Sequence, residues 1–179
     1  MKQIGVMGPA LNEYPENEKE RERIEQTAER IGKELASAGA VVITGGCDGV
    51  MEAALRGAKK AGGITVGTPG RTRCISNNYV DVEIITEIDT GSLLFAGLPG
   101  CDALIFIPGG AGTLAELCIA YRLKKPVVIL KGFDQWYDSK IGAFLDNGKC
   151  IRLYGTVDPA EAARLALKLA EDKSKGDQI

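Results

Sequence analysis

Two kinds of apolar pattern alternate along the chain. Nearly continuous apolar runs at residues 2–7, 40–44, 64–66, 82–86, 103–107, 126–130 and 150–154 predict strands. A strand buried on both faces has no polar face to alternate with. Between these runs, apolar residues recur at helical spacing. Ile24, Ala28, Ile31, Leu35 and Ala38 mark one face of a helix whose other face is crowded with Glu, Arg and Lys and reads as solvated. Met51, Ala54, Leu55 and Ala58 mark a second helix, and Ile141, Phe144 and Leu145 a third. Asp158-Pro-Ala-Glu161 predicts a capping box with proline at the first helical position. It opens a last helix with Ala162, Leu165, Ala166 and Leu169 inward. A short helix is expected at 92–98, stopped by Pro99-Gly100.

Strands and helices alternating in this way predict an α/β fold, a Rossmann-like doubly wound parallel sheet in a single domain with helices on both faces. The domain is expected over residues 1–170, with 171–179 a polar tail. Composition narrows the function classes. The 179 residues are 45% hydrophobic and 26% charged with a net charge of -2, which lacks the broad basic surface of a nucleic-acid binder. No apolar run approaches the ~18–20 residues that span a bilayer. Strand pattern begins at residue 2, so neither a leader nor a membrane anchor is expected and a cytoplasmic location is.

Histidine is absent, which removes it as metal ligand or general base. Cys47, Cys74, Cys101, Cys118 and Cys150 form no CxxC pair and read as free thiols, so no metal site is expected. Cys47 lies in a glycine turn, where a following helix N-terminus is expected to lower its pKa.

The chemistry concentrates in Pro108-Gly-Gly-Ala-Gly-Thr-Leu-Ala-Glu116, which follows the run at 103–107. Proline ends the strand, and Gly109, Gly110 and Gly112 let the backbone turn and approach a ligand. The pattern then turns helical from Thr113. Strand, glycine turn and helix N-terminus together present unpaired N–H groups to an anion, most plausibly a phosphate. Gly45-Gly46-Cys47-Asp48-Gly49 repeats the plan after the second strand. Gly110, Gly112 and Ala115 also satisfy the G-x-G-x-x-A dinucleotide fingerprint, but late in the chain. Lys131 follows the next strand where an acid should hold a ribose, and Asp134 is a poor substitute.

Pro108 to Glu116 resembles the PGGxGTxxE motif of the Lonely Guy (LOG) proteins, often labelled lysine decarboxylase-like. Gly45-Gly46-Cys-Asp-Gly49-Val-Met51-Glu52 is similar to that family's other glycine-rich stretch, in a form closer to the subgroup that includes molybdenum-cofactor carriers. The resemblance runs from about Ile4 to Leu153. It implies phosphate on Gly109, Gly110, Ala111, Gly112 and Thr113, with Gly45 and Gly46 beside it. Gly8, Glu52, Arg71 and Arg73 are further candidate contacts.

The characterised LOG proteins are cytokinin riboside 5′-monophosphate phosphoribohydrolases, and in that chemistry Glu116 would stabilise the charge growing on the ribose or activate water. The family pairs this acid with an arginine ahead of the PGG strand. Here that position falls on or beside Leu93, and no basic residue lies between Arg73 and Arg122. Glu116 has a second reading: with Thr113 as N-cap, Thr113-x-x-Glu116 is a capping box. The decarboxylase label is not expected to describe the activity. Pyridoxal phosphate needs a Schiff-base lysine, and Lys124 and Lys125 suit a helix C-terminus.

The reading is therefore a nucleotide or nucleotide-like phosphate ligand held at glycine turns by a carrier or sensor with little turnover. The alternatives are a nucleoside 5′-monophosphate phosphoribohydrolase using Glu116, or a dinucleotide binder. No cofactor is expected. The resemblance implies a homodimer, with 93–95 or the 117–121 helix face as candidate interfaces.

Overall fold

The computed structural model describes residues 1–71, 75–86 and 97–176. Seven strands make one sheet: β1 Gln3–Met7, β2 Val41–Thr44, β3 Thr65–Gly67, β4 Val82–Glu83, β5 Ala103–Phe106, β6 Val127–Leu130 and β7 Tyr154–Thr156. Every pairing is parallel, in the order β4-β3-β2-β1-β5-β6-β7. The chain runs outward from β1 to β4, then returns to the other side of β1 and runs outward again. The crevice between β1 and β5 is thus the topological switch point, where open parallel sheets bind ligands.

Both sheet faces are covered. Ile4, Val6, Ile105, Ile107, Val128 and Leu130 face α1 (Glu18–Ser37), α2 (Val50–Lys60) and α5 (Pro159–Gly176). Met7, Ile43, Leu104, Phe106, Val127 and Ile129 face α3 (Ala111–Arg122), the turn Leu98–Gly100 and Tyr137 of α4 (Gln135–Lys140). Adjacent strand residues alternate between the two cores, which is why these strands carry apolar runs with no polar phase. α1 and α2 pack so closely that a Cβ on Gly32 would fall inside the Ala54 carbonyl, and one on Gly57 inside that of Glu29. Arg56 ties the two helices through Glu29 (2.9 Å) and Glu25 (3.3 Å), and also pairs with Glu52 (3.7 Å) on its own helix.

Several local expectations change. Ala38 is exposed, because α1 ends at Ser37 and Gly39 takes φ +77 to turn the chain. The third helix starts and stops early: Asp134 caps α4 by accepting from the Trp136 and Tyr137 amides, and Ile141 is already extended at ψ 129. Ile141, Phe144 and Leu145 therefore follow the helix rather than line it. β7 lies at Tyr154–Thr156, not at 150–154, since its register is set by Tyr154 pairing with Val128. Asp158 accepts from the Ala160 amide, but Glu161 pairs with Arg164 and the reciprocal half of that capping box is not made. α5 continues to Gly176, through the segment expected to be a polar tail. The helix expected at 92–98 lies mostly outside the described residues, as do Leu93 and Arg73.

Candidate functional site

The two glycine turns share a plan in sequence and differ in what the fold does with them. Both flank the Gly8-Pro9-Ala10 segment that follows β1. A Cβ on Gly8 would stand 2.9 Å from Val50, so this glycine packs against α2 rather than facing a ligand. The first amide of α2, Val50 N–H, donates to the Pro9 carbonyl at 3.1 Å. Gly46 takes φ +82 and its N–H donates to Thr44 Oγ1 at 2.9 Å. Its carbonyl accepts from both the Asn77 amide (2.7 Å) and Asn77 Nδ2 (3.0 Å). Gly45 rests on Met51. Asn77 thus holds this turn through the Gly46 carbonyl, and Pro9 takes the first amide of the helix behind it. Cys47, expected to be acidified by the helix behind it, has its thiol pushed up instead, by burial first and then by the charge of Asp48.

The turn after β5 is open. Gly110 is the N-cap of α3 and makes no side-chain cap, and the first helical bond is Leu114 N–H to Gly110 O at 3.0 Å. The amides of Ala111, Gly112 and Thr113 therefore have no acceptor among the described residues, as a helix start leaves them unless something else supplies one. The capping-box reading of Glu116 requires Thr113 as N-cap, a position that Gly110 holds. Thr113 lies instead inside the first turn, which removes the Thr113–Glu116 capping box. Thr113 is 2% exposed and its buried hydroxyl has no partner among the described residues, an orphaned donor and acceptor in the same turn. Tyr137 O–H donates to the Gly109 carbonyl at 3.3 Å and holds the loop from the other side. Burial pushes that phenol up to about 12.

The open turn borders a cavity of about 350 Å³, within the size range of small-molecule sites. It lies at the carboxyl ends of β1, β5 and β6. Gly109 and Gly110 form one side, Pro9 and Glu13 another, and Arg23 with Phe133 a third. Arg23 belongs to the face of α1 read as solvated. Here its guanidinium lies over the Phe133 ring, 4.2 Å from the centroid, and its Nη1–H donates to the Gly132 carbonyl at 3.1 Å. Arg23, Glu13 and Phe133 were not singled out in the sequence. The only hint was an aromatic-rich loop after β6, because one arginine among many on a charged helix face carries no mark of its own.

Glu116 sits one turn into α3, partly exposed, and is not a lining residue of the cavity. Burial and then the negative charge of Glu13 raise its carboxyl to about 8, so it is mostly protonated at neutral pH. Glu13 itself hangs over the open turn, its Oε1 3.2 Å from where a Cβ on Gly110 would stand. The remaining sequence candidates lie elsewhere. Glu52 is engaged with Arg56 between α1 and α2, Arg71 is exposed and outside the cavity, and Lys125 Nζ donates to the Pro99 and Cys101 carbonyls. Within the 117–121 segment of α3, Leu117, Ala120 and Tyr121 are buried within the chain, while Cys118 is exposed and Ile119 half-buried. No group of three or more Cys, Asp or Glu among the described residues is placed to hold a metal ion. None of their helices is long and apolar enough to cross a membrane.

A doubly wound parallel sheet with an open, uncapped helix start at its switch point places the chain in the Rossmann-like class of α/β domains. The chain belongs to the SLOG cluster4 family, whose model matches residues 1–161. An uncharacterized protein of Archaeoglobus fulgidus is 38% identical over 129 residues, 72% of this chain and 80% of that one. The crystal structure of TM1055, a structural-genomics target, superposes with a TM-score of 0.80 at 30% identity, covering 94% of this chain and 99% of that one. The molybdenum cofactor carrier protein of Chlamydomonas reinhardtii superposes with a TM-score of 0.78 at 31% identity, covering 95% and 98%.

Proposed function

We propose that this protein binds a phosphate-bearing nucleotide or nucleotide-like small molecule at the open turn of α3, as a carrier or sensor with little turnover. The observation that carries this reading is the run of amides at Ala111, Gly112 and Thr113 without an acceptor among the described residues, next to Gly109 and Gly110, which line a ligand-sized cavity. Unpaired N–H groups and the positive end of a helix dipole favour an anion there. The Thr113 hydroxyl adds a buried donor in the same turn. The likeness to a molybdenum cofactor carrier supports a carrying role.

A second reading, a nucleoside 5′-monophosphate phosphoribohydrolase, draws on Glu116. A carboxyl held near 8 is a general acid at neutral pH. Against it, the charge acting on Glu116 comes from another acid, Glu13. Dinucleotide binding is the weakest reading, because Asp134, the nearest acid to the expected ribose position, spends one carboxylate oxygen capping α4.

The test is a thermal-shift panel of nucleoside monophosphates, NAD and molybdopterin-like ligands, followed by an assay for released base. A ligand at about 100 times its Kd stabilises the fold by ~2.7 kcal/mol. Binding without base release supports the carrier. Release that disappears in Glu116→Ala supports the hydrolase, and release that survives it removes Glu116 from the chemistry. A homodimer is part of the proposal, and a monomer by light scattering at working concentration would refute that part.

A further inference from the structure

The cavity holds more acid than a phosphate site needs. Glu13, Glu20 and Asp134 line it, and Arg23 is the one cation among its described lining residues. These acids do not converge into a metal-sized group among the described residues, so they are not explained by an ion between them. Their charge weakens the hold on a bare anion. A ligand that sets its phosphate on α3 and turns N–H donors toward the acids offsets that cost.

Glu20 is the acid best placed to read such donors. It stands at the third position of α1 after the Asn17 N-cap, where a glutamate ordinarily folds back onto the N-cap amide. That bond is absent, and no hydrogen bond or ion pair engages its carboxylate among the described residues. Glu20, Arg23 and Ile24 fall at i, i+3 and i+4, so one stripe of α1 forms this wall of the cavity. Arg23 lies over the Phe133 ring and is tethered to Gly132, which gives an incoming heterocycle a prearranged cationic and aromatic surface to stack on. Asp134 is partly spent as the cap of α4, and Glu13 lies against Gly110, beside the phosphate turn.

We propose that Glu20, beside the Arg23–Phe133 stack, makes this cavity selective for a purine monophosphate whose base edge carries adjacent N–H and NH₂ donors, guanine rather than adenine. This rests on the phosphate reading above. A guanine edge gives both oxygens of one carboxylate a donor, and such charge-assisted pairs are the strong ones. Adenine turns a ring-nitrogen acceptor to the same carboxylate, which leaves an oxygen unpaired and facing a lone pair.

The experiment is titration calorimetry of the intact protein with GMP, IMP, AMP and inorganic phosphate, on wild type and on Glu20→Gln. Hydrogen bonds to a charged group predict GMP binding at least ~10-fold tighter than AMP, with IMP between them. In Glu20→Gln the GMP-to-AMP ratio should fall to within about 2-fold while inorganic phosphate binds as before. Glu20 is exposed, and an unchanged melting temperature of the unliganded variant shows that its fold is intact. AMP binding as tightly as GMP, or a ratio unmoved by Glu20→Gln, overturns the assignment while leaving the phosphate reading in place. If neither inorganic phosphate nor any monophosphate binds, the phosphate reading fails and this inference fails with it.

Discussion

Thr113 Oγ1 lies 2.5 Å from the point where a Cβ on Gly109 would stand, so the buried hydroxyl and the bare glycine occupy one another's space. Pro9 Cδ crowds the same point at 2.9 Å. Gly109 is thus required by close approach and not by a left-handed φ. Gly109→Ala should destabilise the protein by about 1–3 kcal/mol, the usual cost of overpacking. It should also abolish the ligand-induced thermal shift, because the turn must open to admit the methyl group.

Thr113→Val separates stability from binding. The hydroxyl is buried without a partner, and removing it relieves a desolvation cost of roughly 1–3 kcal/mol at nearly constant shape. The variant should therefore be as stable as wild type or more so in urea titration, while binding inorganic phosphate more weakly. A loss of stability with unchanged binding would assign the hydroxyl a structural role instead.

Glu116 makes stability depend on pH. Its folded pKa of about 8 lies above the ordinary carboxyl value of 4.5. Between those values the unfolded chain has lost a proton that the folded protein keeps, so its contribution to stability is full below pH 4.5 and is lost as pH rises through 8. Glu116→Gln should flatten that slope, with melting temperatures gaining most on wild type above pH 8. Glu13→Gln removes the second cause of the shift, and the Glu116 carboxyl should then titrate lower by carbon-detected NMR.

The α1–α2 contact should be the least forgiving in the molecule. Gly57→Ala forces a methyl group into a backbone carbonyl, which cannot swing away as a side chain can. A loss of about 3 kcal/mol or more in urea unfolding is expected, at the upper end for overpacking.

Arg56→Met tests the ion network between the same helices. It leaves Glu25, Glu29 and Glu52 without their shared cation and should cost about 1 kcal/mol at pH 7. Lys60 first and Arg56 second hold the Glu29 carboxyl below 4.5, so that stabilisation is present above 4.5 and is lost as pH falls through the folded value. The gap between variant and wild type should accordingly narrow in acid.

How much of this could be read from residues alone depends on how local the cause was. β1, β2, β5 and β6 fall on their apolar runs because a central parallel strand has both faces buried. The site's backbone was legible too, since a proline stop, three glycines in four positions and a helical pattern dictate a turn at a helix start. β7 was misplaced because an edge strand carries exposed Tyr154, and only pairing with β6 chooses its register. Arg23 and Phe133 meet across more than a hundred residues of chain, and a charged helix face gives no sign of which arginine turns inward.

The two glycine turns draw the line most sharply. By itself the sequence determined that each follows a strand and opens a helix, and that either was fit to hold an anion. Only the tertiary structure decided between them. It brought the Pro9 carbonyl onto the first amide of α2 and the Asn77 donors onto the Gly46 carbonyl, and left the amides of Ala111, Gly112 and Thr113 facing no acceptor among the described residues at the second. A backbone amide binds a ligand only if no nearer acceptor claims it, and those acceptors come from distant parts of the chain.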